Sequence, residues 1–213
     1  MSAAAGMKDT TRKTSELLEE VIGSIRSEHV TLRDLLAILG ENGLLLFCGF
    51  LSLPFLFPVS VPGVSTVFGA GIVLISAAIT LNRLPWLPGR VADRRLESGR
   101  LVPVLERGVR VLRRFDRFFR PRLRFLITGT VVNRVNGLAL MAAGFLLMLP
   151  LSFVPFSNTL PAVAVLLLSA GISQRDGLVV AAGHAMIALT VVYFWAIVFA
   201  AYRAGQSLSL FGA

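Results

Sequence analysis

Two long uncharged tracts dominate the chain. No Asp, Glu, Lys or Arg occurs from Asn42 through Asn82, and none from Val135 through Gln174. Prolines divide each tract. In the first, apolar runs from Gly43 to Leu53 and from Val64 to Thr80 flank Pro54-Phe-Leu-Phe-Pro58-Val-Ser60-Val-Pro62-Gly63. As helices these runs reach roughly 17 and 26 Å, against a hydrocarbon core of about 30 Å. Proline lacks a backbone donor and breaks helix. The pattern therefore predicts a helical hairpin that dips into a bilayer and returns, re-entrant or barely spanning, with its irregular tip shielded by protein or water. The second tract is broken in the same way at Pro150, Pro155 and Pro161. Arg175-Asp176-Gly177 reads as a polar turn. Leu178–Tyr202 is apolar and long enough to cross fully, with Tyr193, Trp195 and Tyr202 marking its far interface.

Two amphipathic helices are expected outside these tracts. Leu17, Leu18, Val21, Ile22 and Ile25 share one face of a helix over residues 15–29, after a disordered start at 1–13. Leu101, Leu105, Val109, Leu112, Phe115 and Phe119 share one face over 102–120, with arginines on the others, the pattern of a helix lying on an anionic leaflet. Between 29 and the first tract, Thr31 and Asp34 form a capping box for a short helix that Gly40 ends.

The two tracts also resemble each other. Asn42-Gly43, Leu53-Pro54, Phe57, Ser60, Pro62 and Ser76-Ala77 correspond in order to Asn136-Gly137, Leu149-Pro150, Phe153, Ser157-Asn158-Thr159, Pro161 and Ser169-Ala170. A tandem duplication in parallel orientation is expected, repeat 1 at about 15–82 and the hairpin of repeat 2 at about 134–174. Duplicated broken hairpins often bind ligands where the copies meet. Pro62 and Pro161 suit the first turn of a helix. Two helix starts facing each other would present unpaired N–H groups and positive dipole ends to an anion. Ser60, Gly63, Ser65 and Thr66 in one copy, and Ser157, Asn158 and Thr159 in the other, are the candidate ligand-binding residues.

Composition supports a membrane setting. Apolar residues make up 55% of 213 residues and charged residues 15%, where soluble domains carry about 25% charged; mean hydropathy is +0.75. The net charge of +9 is concentrated. Residues 83–124 hold thirteen arginines against four acids, whereas residues 1–41 hold five basic and seven acidic residues. Such a basic block points to the cytoplasmic face and to anionic lipid. Without a recognition motif it does not point to nucleic acid. Arg134 and Arg175 bracket the second hairpin and can either snorkel to headgroups or clamp a phosphate. His184, inside the terminal span, is either a neutral imidazole bonded to a carbonyl or a proton or ligand site. Asn42 and Asn136 are expected to cap helices. One cysteine, Cys48, and two histidines far apart in sequence suggest no metal site. No cofactor is expected, and no catalytic constellation is recognisable, so an enzyme is not expected.

Thr31-Leu-Arg-Asp-Leu-Leu, Leu39-Gly-Glu-Asn-Gly43, Pro62-Gly-Val-Ser-Thr and Arg83-Leu-Pro-Trp-Leu-Pro88 together resemble the exopolysaccharide-synthesis ExoD family of bacterial inner-membrane proteins, over about residues 30 to 205. The resemblance implies an inner-membrane location and a link to exopolysaccharide production and alkaline tolerance. It brings no set of catalytic residues. A fainter similarity, to DedA-type proteins that handle polyprenyl-phosphate carrier lipid, rests on Glu41-Asn42-Gly43 and Pro62-Gly63; the acidic residue of that pattern is replaced by Val64. The expected fold is thus all-α integral membrane. A single domain over 14–205 comprises two amphipathic helices, two proline-broken hairpins in tandem and a terminal span over 178–202. The N-terminus and residues 83–124 would face the cytoplasm. The expected function is accessory to exopolysaccharide synthesis or export, by binding or translocating an anionic, polyprenyl-phosphate-type lipid. The alternatives are a scaffold for polysaccharide-synthesis proteins and ion or proton exchange.

Overall fold

The computed structural model describes the backbone of residues 29–56, 63–81, 95–97, 122–149 and 154–211, and the side chains of 40–56, 63–81, 122–149 and 154–203. Helices account for nearly all of it: α1 (Leu32–Ser52), α2 (Val64–Thr80), α3 (Thr130–Met148), α4 (Thr159–Ser173) and α5 (Gly177–Phe211). A 3-10 turn over Leu53–Leu56 extends α1, and another over Arg124–Leu126 precedes α3. Two short strands, β1 (His29–Thr31) and β2 (Arg95–Glu97), pair antiparallel with His29 opposite Glu97. The amphipathic helices expected over 15–29 and 102–120 lie outside the described residues, apart from residue 29 in β1; so do the side chains of the expected capping box at Thr31 and Asp34, and Ser60.

Glycine and proline set the helix limits. Gly40 adopts φ 56° and ψ −145° and kinks α1, so the apolar part runs from Gly40. Gly63 (φ 84°) turns the chain into α2, whose bounds coincide with the apolar run after Pro62. Gly129 (φ 110°) starts α3 well before Asn136. That placement corrects the expected roles of Asn42 and Asn136, because both lie inside helices. Asn136 is buried, and its Nδ2 donates to the Leu126 carbonyl at 2.8 Å. The amide thereby satisfies an oxygen left over by the preceding 3-10 turn.

Thr130–Met148 and Gly177–Arg203 are long and apolar enough to cross a membrane. Gly40–Leu56, Val64–Thr80 and Thr159–Ser173 are apolar but shorter. In packing, α2 lies on α3, α1 on α4, each hairpin's own helices touch, and α5 covers α4. The helices approach through glycine. A Cβ added at Gly69 would stand 2.9 Å from the Gly144 carbonyl, one at Gly144 would meet Ile72 and Val73 at 3.0 Å, and one at Gly137 would overlap Thr80. Helices α2 and α3 therefore run antiparallel. Gly49 approaches Ser169 and Leu166 across the α1–α4 seam, and Gly171 approaches the Val180 backbone across the α4–α5 seam. Small residues at the seams are how helices in lipid gain contact, since hydrocarbon outside is as apolar as hydrocarbon inside.

Burial repeats along the chain as the corresponding residues do. Buried Leu45, Cys48, Gly49 and Ser52 match buried Leu140, Ala143, Gly144 and Leu147, and buried Gly69, Ile72, Ile75, Ser76, Ala78 and Ile79 match buried Ala162, Val165, Leu168, Ser169, Gly171 and Ile172. The contacts correspond too: Gly49 against Leu166 mirrors Gly144 against Val73. Buried hydroxyls close onto their own helices, Ser52 onto Gly49, Ser76 onto Ile72, Ser169 onto Leu166 and Thr190 onto Met186, each donating to a carbonyl. In a dry interior this removes donors that would otherwise be costly.

Gly171→Val should prise α4 from α5, because its Cβ would lie 2.7 Å from the Val180 nitrogen. The expected loss is about 1–3 kcal/mol, read as a lower unfolding temperature in detergent, while Leu138→Val on an exposed face leaves it unchanged.

Candidate functional site

The antiparallel helices place the chain's features at two ends. One end, here the tip, carries the 3-10 turn at Leu53–Leu56, the starts of α2 and α4, and the end of α3. The other, the base, carries the end of α2, the segment 122–130, and the turn from α4 into α5. Helix α5 runs from the base past the tip, where the Tyr193 hydroxyl donates to the Pro155 carbonyl at 2.6 Å.

At the tip, Gly63 is the N-cap of α2 and Asn158 that of α4, and neither helix has a side-chain cap. Gly63 and Thr66 are exposed, Asn158 and Thr159 half-buried. Ser65 is buried at 7% exposure and has no hydrogen-bond partner among the described residues. Ser157 is buried and partnered. Pro161 occupies the first turn of α4, where its missing N–H costs nothing. The two starts share this end, but they do not face each other directly. The turn carrying Phe55 packs on α4, and the Phe55 ring meets the Phe68 ring of α2 edge-on at 5.7 Å. Phe55 thus ties the turn after α1 to α2, and that turn packs on α4.

Beside the tip lies an apolar groove of about 390 Å³, lined by Leu146, Leu149, Val191, Phe194, Trp195 and Val198. It runs between the end of α3 and α5, the two helices long enough to cross a membrane. Apart from Trp195, expected at the far interface of the terminal span, sequence patterning did not single out these residues. Their spacing on α3 and α5 is ordinary for a membrane helix, and only the packing of one helix on the other makes them a groove.

Arg134 and Arg175 are at the base, so the expected set of anion ligands is divided between opposite ends. Arg175 occupies a left-handed conformation (φ 55°) after α4. The Arg175 N–H donates to Ile172 at 3.2 Å and the Asp176 N–H to Gly171 at 2.9 Å, the paired bonds of a Schellman ending. Asp176, also buried, then caps α5 by accepting from the Leu178 N–H at 3.1 Å. The Gly177 N–H donates to the Arg122 carbonyl at 2.9 Å, which ties segment 122–127 to this corner. His184 stands apart from both ends. Its Nδ1 lies 3.0 Å from the Val180 carbonyl, the one-turn contact of an imidazole whose Nδ1–H donates within its own helix. Among the described residues there is no cluster of His, Cys, Asp and Glu able to hold a metal.

The family model for "Exopolysaccharide synthesis, ExoD" matches residues 14–196. Protein ExoD of Rhizobium meliloti (strain 1021) is 55% identical over 203 residues, covering 95% of this chain and 85% of its own. A protein of Synechocystis, named only as uncharacterized protein slr1875, is 26% identical over 198 residues, covering 92% of each. No solved structure matches.

The α4–α5 corner makes two separable predictions. Asp176→Ala should cost about 1 kcal/mol or more through loss of the cap. Arg175→Gly should be more stable than Arg175→Ala by about 1 kcal/mol, since only glycine adopts the left-handed region freely. Thermal unfolding of the three variants in one detergent checks both.

Proposed function

This chain belongs to the ExoD family, and on that premise we propose that it serves exopolysaccharide synthesis from the bacterial inner membrane, holding an anionic, polyprenyl-phosphate-type lipid at its tip. The observation that carries this reading is the pair of helix starts at one end, neither with a side-chain cap, one of them beside the buried hydroxyl of Ser65, which has no partner among the described residues. The first-turn N–H groups of a helix have no partner within it, and its positive dipole end favours an anion. Phosphate oxygens supply acceptors for those donors and for the hydroxyls of Ser65 and Thr66. At the α4 start the Leu160 N–H already donates to the Phe156 carbonyl and Pro161 has none, so Asn158 and Thr159 offer chiefly their side chains. The groove between α3 and α5 at that end offers an apolar wall for a prenyl chain. In this reading the α1–α2 hairpin enters the bilayer from the cytoplasm and returns, the arginine-bearing base faces the cytoplasm, and α5 carries the C-terminus across.

The division of the arginines sharpens the test. Arg134 and Arg175 are too distant to join a tip site, so the tip itself must be changed. Thr66→Glu with Thr159→Glu places carboxylates in two first turns. A negative charge there stabilises a helix, yet it repels a phosphate. The double variant should accumulate normally, fail to restore exopolysaccharide to a strain lacking the protein, and lose polyprenyl phosphate in native mass spectrometry. Full restoration with unchanged lipid retention would refute the tip reading. Val198→Trp, which fills the groove, should lower retention of polyprenyl phosphate without affecting retention of inorganic phosphate.

A further inference from the structure

We infer that the base carries a second, distinct lipid contact: a collar of arginines that binds the headgroups of anionic phospholipids in the leaflet from which α3 and α5 start. Arg122 and Arg124 flank Leu123 just before α3, and Arg134 lies in its second turn. All three are exposed, and none has an ion-pair or hydrogen-bond partner for its side chain among the described residues. Arg175 joins them through the α4–α5 corner, because the Gly177 N–H bond to the Arg122 carbonyl and a close approach of Gly177 to Leu123 hold the two segments together. Three arginines without a described partner thus gather at one end beside Arg175, and the described acids there, Glu41 and Asp176, are both already engaged, Asp176 in capping α5.

The level of the collar identifies its partner. Both helices long enough to cross a membrane, Thr130–Met148 and Gly177–Arg203, begin at this corner. The arginines therefore stand where hydrocarbon gives way to headgroups. Phe125 is 66% and Val131 74% exposed beside them. Apolar side chains on the membrane side of a cationic ring are the arrangement of an interfacial anchor: the ring meets phosphate while the apolar groups enter the acyl boundary. A guanidinium forks onto two phosphate oxygens, and an unpaired one gives up no existing ion pair to do so. The tip, by contrast, offers no charged residue among its described positions, so charge complementarity assigns the anionic leaflet to the base. The inference needs α3 and α5 to span the membrane but does not need a ligand at the tip.

The test uses the full chain in nanodiscs of equal phosphatidylglycerol and phosphatidylcholine, followed by native mass spectrometry of the lipids that stay bound on release. Wild type should retain phosphatidylglycerol preferentially. In Arg122→Gln/Arg124→Gln/Arg134→Gln the ratio of phosphatidylglycerol to phosphatidylcholine should fall, on the order of fivefold for each arginine removed. These side chains are exposed and unpaired among the described residues, so the fold should persist, and an unchanged unfolding temperature in neutral detergent verifies it. The tip variant Thr66→Glu/Thr159→Glu should leave the ratio as in wild type, which separates failure here from failure of the tip reading. An unchanged ratio in the triple variant, or an equal fall in the tip variant, overturns the collar.

Discussion

Helices immersed in hydrocarbon gain little by hiding apolar surface from one another, so close contact must hold them together. Glycine at the seams supplies that contact here. Gly69 and Gly144 let α2 and α3 approach backbone to backbone, Gly49 admits Leu166 and Ser169 of α4, and Gly171 and Gly183 seat α5 against α4. The consequence reaches beyond packing. Because α2 lies along α3 with Thr80 at Gly137 and Gly69 at Met148, the two hairpins point the same way. That fixes which residues share an end, and hence which chemistry each end can perform. The hydroxyls follow suit: by donating to carbonyls of their own helices, Ser52, Ser76, Ser169 and Thr190 leave the seams free of directional demands.

Local signals were legible where the backbone itself responds to them. The run after Pro62-Gly63 gave α2 its bounds, and Leu178–Tyr202 anticipated the core of α5. The kink at Gly40 is where that glycine was expected to end a helix. The start of α3 was misplaced for a physical reason. The uncharged tract begins at Val135, but a helix may carry Asn133 and Arg134 on its exposed face, and the chain enters helix at Gly129 instead. Asn136 shows the same limit. An asparagine before an apolar run reads as a cap, yet here it serves a carbonyl ten residues upstream.

Tertiary placement was less legible. Spacing can put Arg134 and Arg175 on either side of a hairpin, and it cannot say that this boundary lies at the end opposite the helix starts. Phe55, read as part of a proline-rich tip, is a core residue at 2% exposure. The apolar groove was invisible because Leu146 and Leu149 meet Val191, Phe194, Trp195 and Val198 only once α5 folds back along α3. Within the family the shared name concerns exopolysaccharide synthesis.

The two ends treat their helix starts differently, and that difference bears on function. At the base, α5 is capped by Asp176, while α3 begins among exposed residues Thr128 to Val131, which leave its N–H groups open to the surroundings. At the tip, α2 and α4 begin without side-chain caps, and the first turn of α2 holds a buried serine with no partner among the described residues. A buried donor without an acceptor costs about 1–3 kcal/mol. At the base a side chain supplies the cap of α5, whereas at the α2 start no side chain supplies an acceptor among the described residues. In the proposed reading an anion at the α2 start would supply that acceptor, and the adjoining groove would take the hydrocarbon it carries.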